Sequence, residues 1–153
     1  MALRDEIQQT KPFTSLHEEA LLNIVRTSAT MTDDMEVLLK DHGITNTQYN
    51  VLRILRGAEP AGLCRNELRD RMLTRMPDVT RLLDRMEEAG LVARSRDNED
   101  RRLVSTRITE AGRKVVDELD APMHEFHLRR IGHITDEQLK TLIDLLTLAR
   151  DGG

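Results

Sequence analysis

The sequence predicts a mainly α fold with a small β-wing, and three observations carry that expectation. Ser15 with Glu18, Thr45 with Gln48 and Thr135 with Gln138 are capping boxes, each set just ahead of a helically spaced aliphatic run. Val79, Leu82, Leu83 and Met86 fall at i, i+3, i+4 and i+7, the spacing of one buried helix face. Between Gly90 and Thr109, by contrast, two β-prone runs flank a polar tip, the pattern of a hairpin.

Taken in order, residues 1–13 hold Thr10, Lys11 and Pro12 without a sustained period and read as an arm or a short helix. From Ser15, Leu21, Ile24, Val25, Met31, Met35, Leu38 and Leu39 mark a long helix up to Gly43. A second helix is expected at 45–56, ending on Gly57, and Ala58 to Gly62 form a turn. Leu63, Leu68 and Met72 mark a short third helix. Pro77 opens a fourth, at 77–89, where its missing N–H is no loss, and Gly90 closes it. The hairpin follows: Leu91 to Arg96, a tip at Asp97 to Asp100, then Arg102 to Ile108. Thr109 caps a fifth helix to about Ile131 with Pro122 expected to kink it, and a last helix runs from Thr135 to about Arg150.

Composition narrows the function. The chain has 153 residues, of which 33% are charged and 39% hydrophobic, enough to fold as one domain but short for a two-domain enzyme. Phe13, Tyr49 and Phe126 are its only aromatics, so the core is aliphatic and single-strand recognition by base stacking is disfavoured. No apolar run approaches the roughly 18 residues of a membrane span, and the polar N-terminus is unlike a signal peptide. With Cys64 as the one cysteine, a reducing, cytoplasmic setting is expected. No P-loop, nucleotide-binding glycine pattern, HExxH or nucleophile–base set is present, so neither catalysis nor a cofactor is expected. The net charge of −4 hides an asymmetry: residues 65–114 hold 13 basic and 10 acidic side chains, leaving 10 and 17 elsewhere. Basic charge is thus gathered on the segment with the fourth helix and hairpin.

Short helices joined by tight turns and followed by a glycine and a two-stranded hairpin make a winged helix-turn-helix. The major groove of B-DNA, about 12 Å wide, admits one helix, and a hairpin beside it can reach the minor groove or the backbone. The helix at 77–89 is the reader, with Asp78, Thr80, Arg81, Asp84 and Arg85 on its outward face.

At this point the chain resembles the multiple-antibiotic-resistance regulators, the MarR family. The resemblance rests on Val79-Thr80-Arg81-Leu82-Leu83-Asp84-Arg85-Met86-Glu87-Glu88-Ala89-Gly90-Leu91-Val92, Arg94, Asp97 to Arg102, and Ile108-Thr109-Glu110-Ala111-Gly112. These match a recognition helix, a glycine, a wing strand, an Asp-Arg-Arg wing turn and a Thr-x-x-Gly helix start. Asn98 stands where many members carry proline. The resemblance implies a homodimeric, sequence-specific regulator of double-stranded DNA, more often a repressor, acting at a pseudo-palindromic operator.

Arg81 and Arg85 are the candidates for base edges, because a guanidinium can bond two acceptors of guanine. Thr80 could bond a base or a phosphate. Asp78 either caps or charges the helix start or accepts from a cytosine amine, and Asp84 is a further DNA-binding candidate on the same face. Arg101 is the candidate for the minor groove. Arg65, Arg75, Arg94, Arg96 and Arg107 are candidates for the phosphate backbone, and the resemblance assigns Asp100 and Arg102 to an ion pair bracing the wing. The winged lobe is expected at 45–108, with dimerisation helices at 1–43 and 109–153 whose apolar stripes need a second copy.

By resemblance, a small phenolic or amphipathic effector would act between lobe and dimerisation helices, with His17, His42 and Tyr49 as pocket candidates against an ordinary surface or interior role. His124 and His127 are spaced for chelation, but spacing fixes no third ligand, so a solvated or interfacial pair is favoured over a metal site. Cys64 beside Arg65 could form a thiolate sensor, although the family's oxidant-sensing cysteine lies in the first helix. The competing functional reading is a winged protein-interaction module that does not bind DNA.

Overall fold

The computed structural model describes residues 1–96 and 103–152. Seven helices and three strands follow one another as α1 (Leu3–Glu6), α2 (Leu16–Lys40), α3 (Asn46–Gly57), β1 (Leu63–Cys64), α4 (Arg65–Arg71), α5 (Val79–Glu88), β2 (Val92–Arg96), β3 (Val104–Ile108), α6 (Glu110–Ile131) and α7 (Asp136–Asp151). The mainly α fold with a β-wing is as expected, with differences at three places.

Leu63, expected in the third helix, belongs instead to β1, which pairs antiparallel with β3 through Leu63 opposite Thr106. The hairpin is therefore the larger part of a three-stranded sheet in the order β1-β3-β2. A two-residue strand leaves no alternation to see, and its pairing partner is far along the chain. Pro77 stands outside the fourth helix. Asp78 takes the N-cap because its carboxylate accepts from the Arg81 N–H at 2.9 Å, a bond proline cannot supply. At the start of α2 the capping box is half made. Ser15 Oγ accepts from Glu18 N–H, while the Glu18 carboxylate reaches back to Thr14. The boxes at Thr45 and Thr135 are complete. Helix α6 is continuous from Glu110 to Ile131, with Pro122 inside it.

The core joins Leu39 of α2, Val51, Leu52 and Leu55 of α3, Leu68 of α4, Leu83 and Met86 of α5, Val92 of β2 and Val116, Leu119, Met123 and Phe126 of α6. From Val116 to Phe126, α6 thus shares one core with α2, α3, α4 and α5. Salt bridges link the same layers. Arg56 of α3 binds Asp120 of α6 through two nitrogens, each at 2.9 Å, and Asp117 at 2.7 Å. Arg130 of α6 binds Asp34 of α2 at 2.7 Å. In contrast, α7 buries none of its residues, and Leu142, Ile143, Leu145 and Leu148 are exposed, as are Leu16, Leu21 and Val25 of α2. Among the described residues no helix is long and apolar enough to cross a membrane.

Candidate nucleic-acid interface

Helix α5 is amphipathic by sequence: Val79, Leu83 and Met86 are buried, and Thr80, Arg81, Asp84 and Arg85 are exposed. Its C-terminus is closed by a Schellman motif. Gly90, at φ +76°, donates to Glu87 O at 2.9 Å, and Leu91 donates to Met86 O at 2.9 Å.

The Thr-x-x-Gly motif then locks this end onto α6. Thr109 Oγ1 accepts from Gly112 N–H as the α6 cap and donates to Gly90 O at 2.6 Å, while its backbone N–H donates to Leu91 O. Gly112 lets the helix start lie against Leu91, because a Cβ there would stand 2.2 Å from Leu91 O. The motif therefore holds the recognition helix at a set angle to α6.

The wing is braced from α5 as well. Arg94 of β2 donates from Nη2 to Asp84 Oδ1 at 2.6 Å and to Glu87 Oε1 at 3.0 Å, while the Arg94 N–H donates to Glu87 Oε2 at 2.9 Å. Bonds from the Arg94 side chain and N–H hold the Glu87 carboxyl below its usual range. The sequence reading named Arg94 for phosphate and Asp84 for the DNA-facing side of the helix; here the two are bonded to each other. With two carboxylates on its guanidinium, and its side chain only 23% exposed, Arg94 links the wing to α5. Glu87, absent from the expected site, is its second anchor.

The remaining candidates divide by their partners. Arg75, Arg81 and Arg85 are exposed, and among the described residues their guanidinium groups have no ion-pair or hydrogen-bond partner. Arg65 donates to Thr80 Oγ1 at 3.2 Å across a cleft of about 380 Å³ lined also by Cys64, Arg94 and Leu103. Arg107 Nε donates to Ala61 O at 3.2 Å, which fixes its stem on the β1 side of the sheet. Asp78 is the α5 cap. Arg96 is the last residue of β2, and Asp100, Arg101 and Arg102 lie outside the described residues.

The proposed effector residues do not converge within one chain. His17 is in the first turn of α2 and His42 lies beyond its other end, about 35 Å away at 1.5 Å per residue. Tyr49 is buried in the core with the Arg53 guanidinium 5.9 Å from its ring centre, and burial pushes its phenol upward. His42 Nδ1 lies 3.3 Å from Leu38 O. His124 and His127 are exposed, and among the described residues no group of three ligating side chains forms a metal site. Cys64 sits at the α4 start, its N–H donating to the Glu67 carboxylate at 2.8 Å.

The MarR family model matches residues 44–104, which run from the end of the α2 turn to the start of β3. A MarR transcription factor from Planctomyces limnophilus is 38% identical, covers 90% of this chain and 99% of its own, and superposes with a TM-score of 0.68. The chain belongs to the MarR family. Another relative of this MarR chain, the HTH-type transcriptional regulator YpoP of Bacillus subtilis, is 30% identical over 74% of this chain and 89% of its own. A third, CouR from Rhodococcus jostii RHA1, was solved bound to p-coumaroyl-CoA; it is 25% identical with a TM-score of 0.75 and covers 90% of this chain and 95% of its own. This MarR protein is accordingly a transcriptional regulator with a winged helix-turn-helix, in a family of regulators and not of enzymes.

Proposed function

We propose that this chain is a homodimeric repressor that reads a pseudo-palindromic operator with α5 and is released by a small molecule. The observation that carries the reading is the state of the α5 face. Arg81 and Arg85 project outward from a helix fixed at both ends, and among the described residues neither guanidinium is engaged. Free arginines on a braced recognition helix suit bidentate contact to guanine, while Arg65 and Arg75 sit where phosphates would pass. The wing residue Arg101 is assigned to the minor groove, with Asp100 and Arg102 bracing it.

Dimerisation is supported by α7 and the first half of α2, whose exposed leucines form stripes that a single chain leaves uncovered. Two copies joined there would present two α5 helices for half-sites about one DNA turn, ~34 Å, apart. Release by an effector rests on the ligand in CouR's solved form and requires that the effector bind best when the two α5 helices are mis-spaced. With His17 and His42 at opposite ends of α2, any pocket using both must draw them from two copies.

Selection from random duplex DNA tests the reading. The expected product is a sequence with two inverted half-sites, bound two chains per duplex and weakened as salt rises. A panel of phenolic acids and their thioesters, added to that complex, should contain compounds that dissociate it. Failure to enrich any duplex at low salt would favour the protein-interaction module.

A further inference from the structure

The turn between α4 and α5, residues 72–78, aims the recognition helix, yet it is built from little. Met72 and Met76 pack against the core, while Leu73 is 85% exposed and Pro77 has no N–H to give. Among the described residues, the backbone N–H groups of Thr74, Arg75 and Met76 have no partner. One polar tether joins the turn to the helix behind it. Leu73 N–H donates to the side-chain Oδ1 of Asn50 in α3 at 2.9 Å.

We infer that Asn50 is a positioning residue for DNA reading: its side-chain oxygen holds the turn on α3 and so fixes the angle at which α5 meets the groove. The inference rests on the proposed reading of duplex DNA by α5. Asn50 lies in the middle of α3, ahead of Arg53 and Arg56 on the same helix. Arg56 binds Asp117 and Asp120 on α6, so one rigid helix connects the α6 layer at its end to the recognition turn at its middle. Asn50 is half-buried on α3, whereas Leu73 and the bond between them face solvent, so the tether is held by its geometry and not by burial. An acceptor is required there, and alanine supplies none. Aspartate keeps an oxygen at the same reach.

The test uses the duplex recovered by random-site selection with the full chain, a scrambled duplex of equal length, and the variants Asn50→Ala and Asn50→Asp. The readout is the ratio of the two affinities at fixed salt. The negative charge that Asn50→Asp introduces weakens both complexes, so the ratio separates positioning from electrostatics. Asn50→Ala should lower the ratio about tenfold while keeping the dimer, and Asn50→Asp should keep it within about twofold. In the DNA-free wild type the Leu73 amide should exchange at least about tenfold more slowly than that of Thr74, a protection absent in Asn50→Ala. An unchanged ratio in Asn50→Ala, an equal loss in both variants, or an unprotected Leu73 in a wild type that does select DNA would overturn the inference alone. Should Asn50→Ala fail to fold, Asn50→Asp and the wild-type exchange rates decide. A wild type with no preferred duplex would overturn the duplex reading itself, and this role with it.

Discussion

Arg94 of β2 and Asp84 of α5 form a 2.6 Å ion pair that ties the wing to the recognition helix, and Glu87 closes the bridge from one turn along. Two elements that would touch different grooves are thereby linked through a planar, multi-donor cation.

Replacing Arg94 should therefore damage recognition more than stability. Arg94→Met removes the two side-chain hydrogen bonds to partly exposed carboxylates and leaves the backbone bond to Glu87, so the expected destabilisation is about 1 kcal/mol or less in urea titration. Operator affinity should fall by about tenfold or more, and Arg94→Lys should not restore it, because a compact ammonium on a flexible stem lacks the rigid geometry of the guanidinium. Equal affinity for the wild type and Arg94→Met would refute the brace.

Gly112 yields a reversed sign. Alanine in a helix ordinarily stabilises relative to glycine by up to about 1 kcal/mol. Here the added methyl would meet Leu91 O at 2.2 Å, in the backbone and not in a flexible side chain. Gly112→Ala is expected to destabilise by about 2 kcal/mol through displacement of the α5–α6 junction. A neutral or stabilising result in thermal unfolding would show that the junction yields.

The α3–α6 bridge has a signed pH dependence. Arg56 holds the Asp120 carboxyl below its ordinary value, chiefly through their hydrogen bonds. A carboxylate lowered on folding contributes stability that is present above its unfolded value, about 3.9, and lost as pH falls through the lower folded value. Both carboxylates are more than half exposed, so the contribution is about 1 kcal/mol at most. The stability gap between wild type and Arg56→Met should be flat from about pH 5 to 8 and close below about pH 4. Urea titrations across that range would detect a gap that instead opened in acid, against this assignment.

The proposed dimerisation through α7 is open to a direct charge insertion. Leu145 is 58% exposed in the isolated chain and contributes little to the core. Leu145→Glu should leave the helical circular dichroism intact while halving the mass measured by light scattering. A variant still dimeric at micromolar concentration would place the interface elsewhere.

The helices were legible because their information is local. Caps at Ser15, Thr45, Thr109 and Thr135 and the stripe at Val79, Leu83 and Met86 all appear where their sequence signatures lie. What could not be read was pairing across distance. Leu63 needs Thr106 to become a strand, and Arg56 needs two aspartates some sixty residues away. Asp117 and Asp120, one turn apart on α6, were a visible half of that contact, but nothing nearby named the cation. Arg94 and Arg81 look alike as solvent-facing arginines, and only the carboxylates that α5 brings to Arg94 separate a brace from a reader. Asn50 carried no signal, since its partner is a backbone N–H.

Arg81 and Arg85 are proposed to read bases from a fixed α5. Equilibrium binding of wild type, Arg81→Ala and Arg85→Ala to the selected operator and to a scrambled duplex, each across a salt series, tests this most directly. Each variant should lose about ten- to hundredfold in operator-over-scrambled preference, the worth of a bidentate base contact, while the salt slope shifts by about one phosphate or less. Preference unchanged in both variants, with only a shallower salt slope, would make them phosphate contacts and contradict the docking of α5 in the major groove.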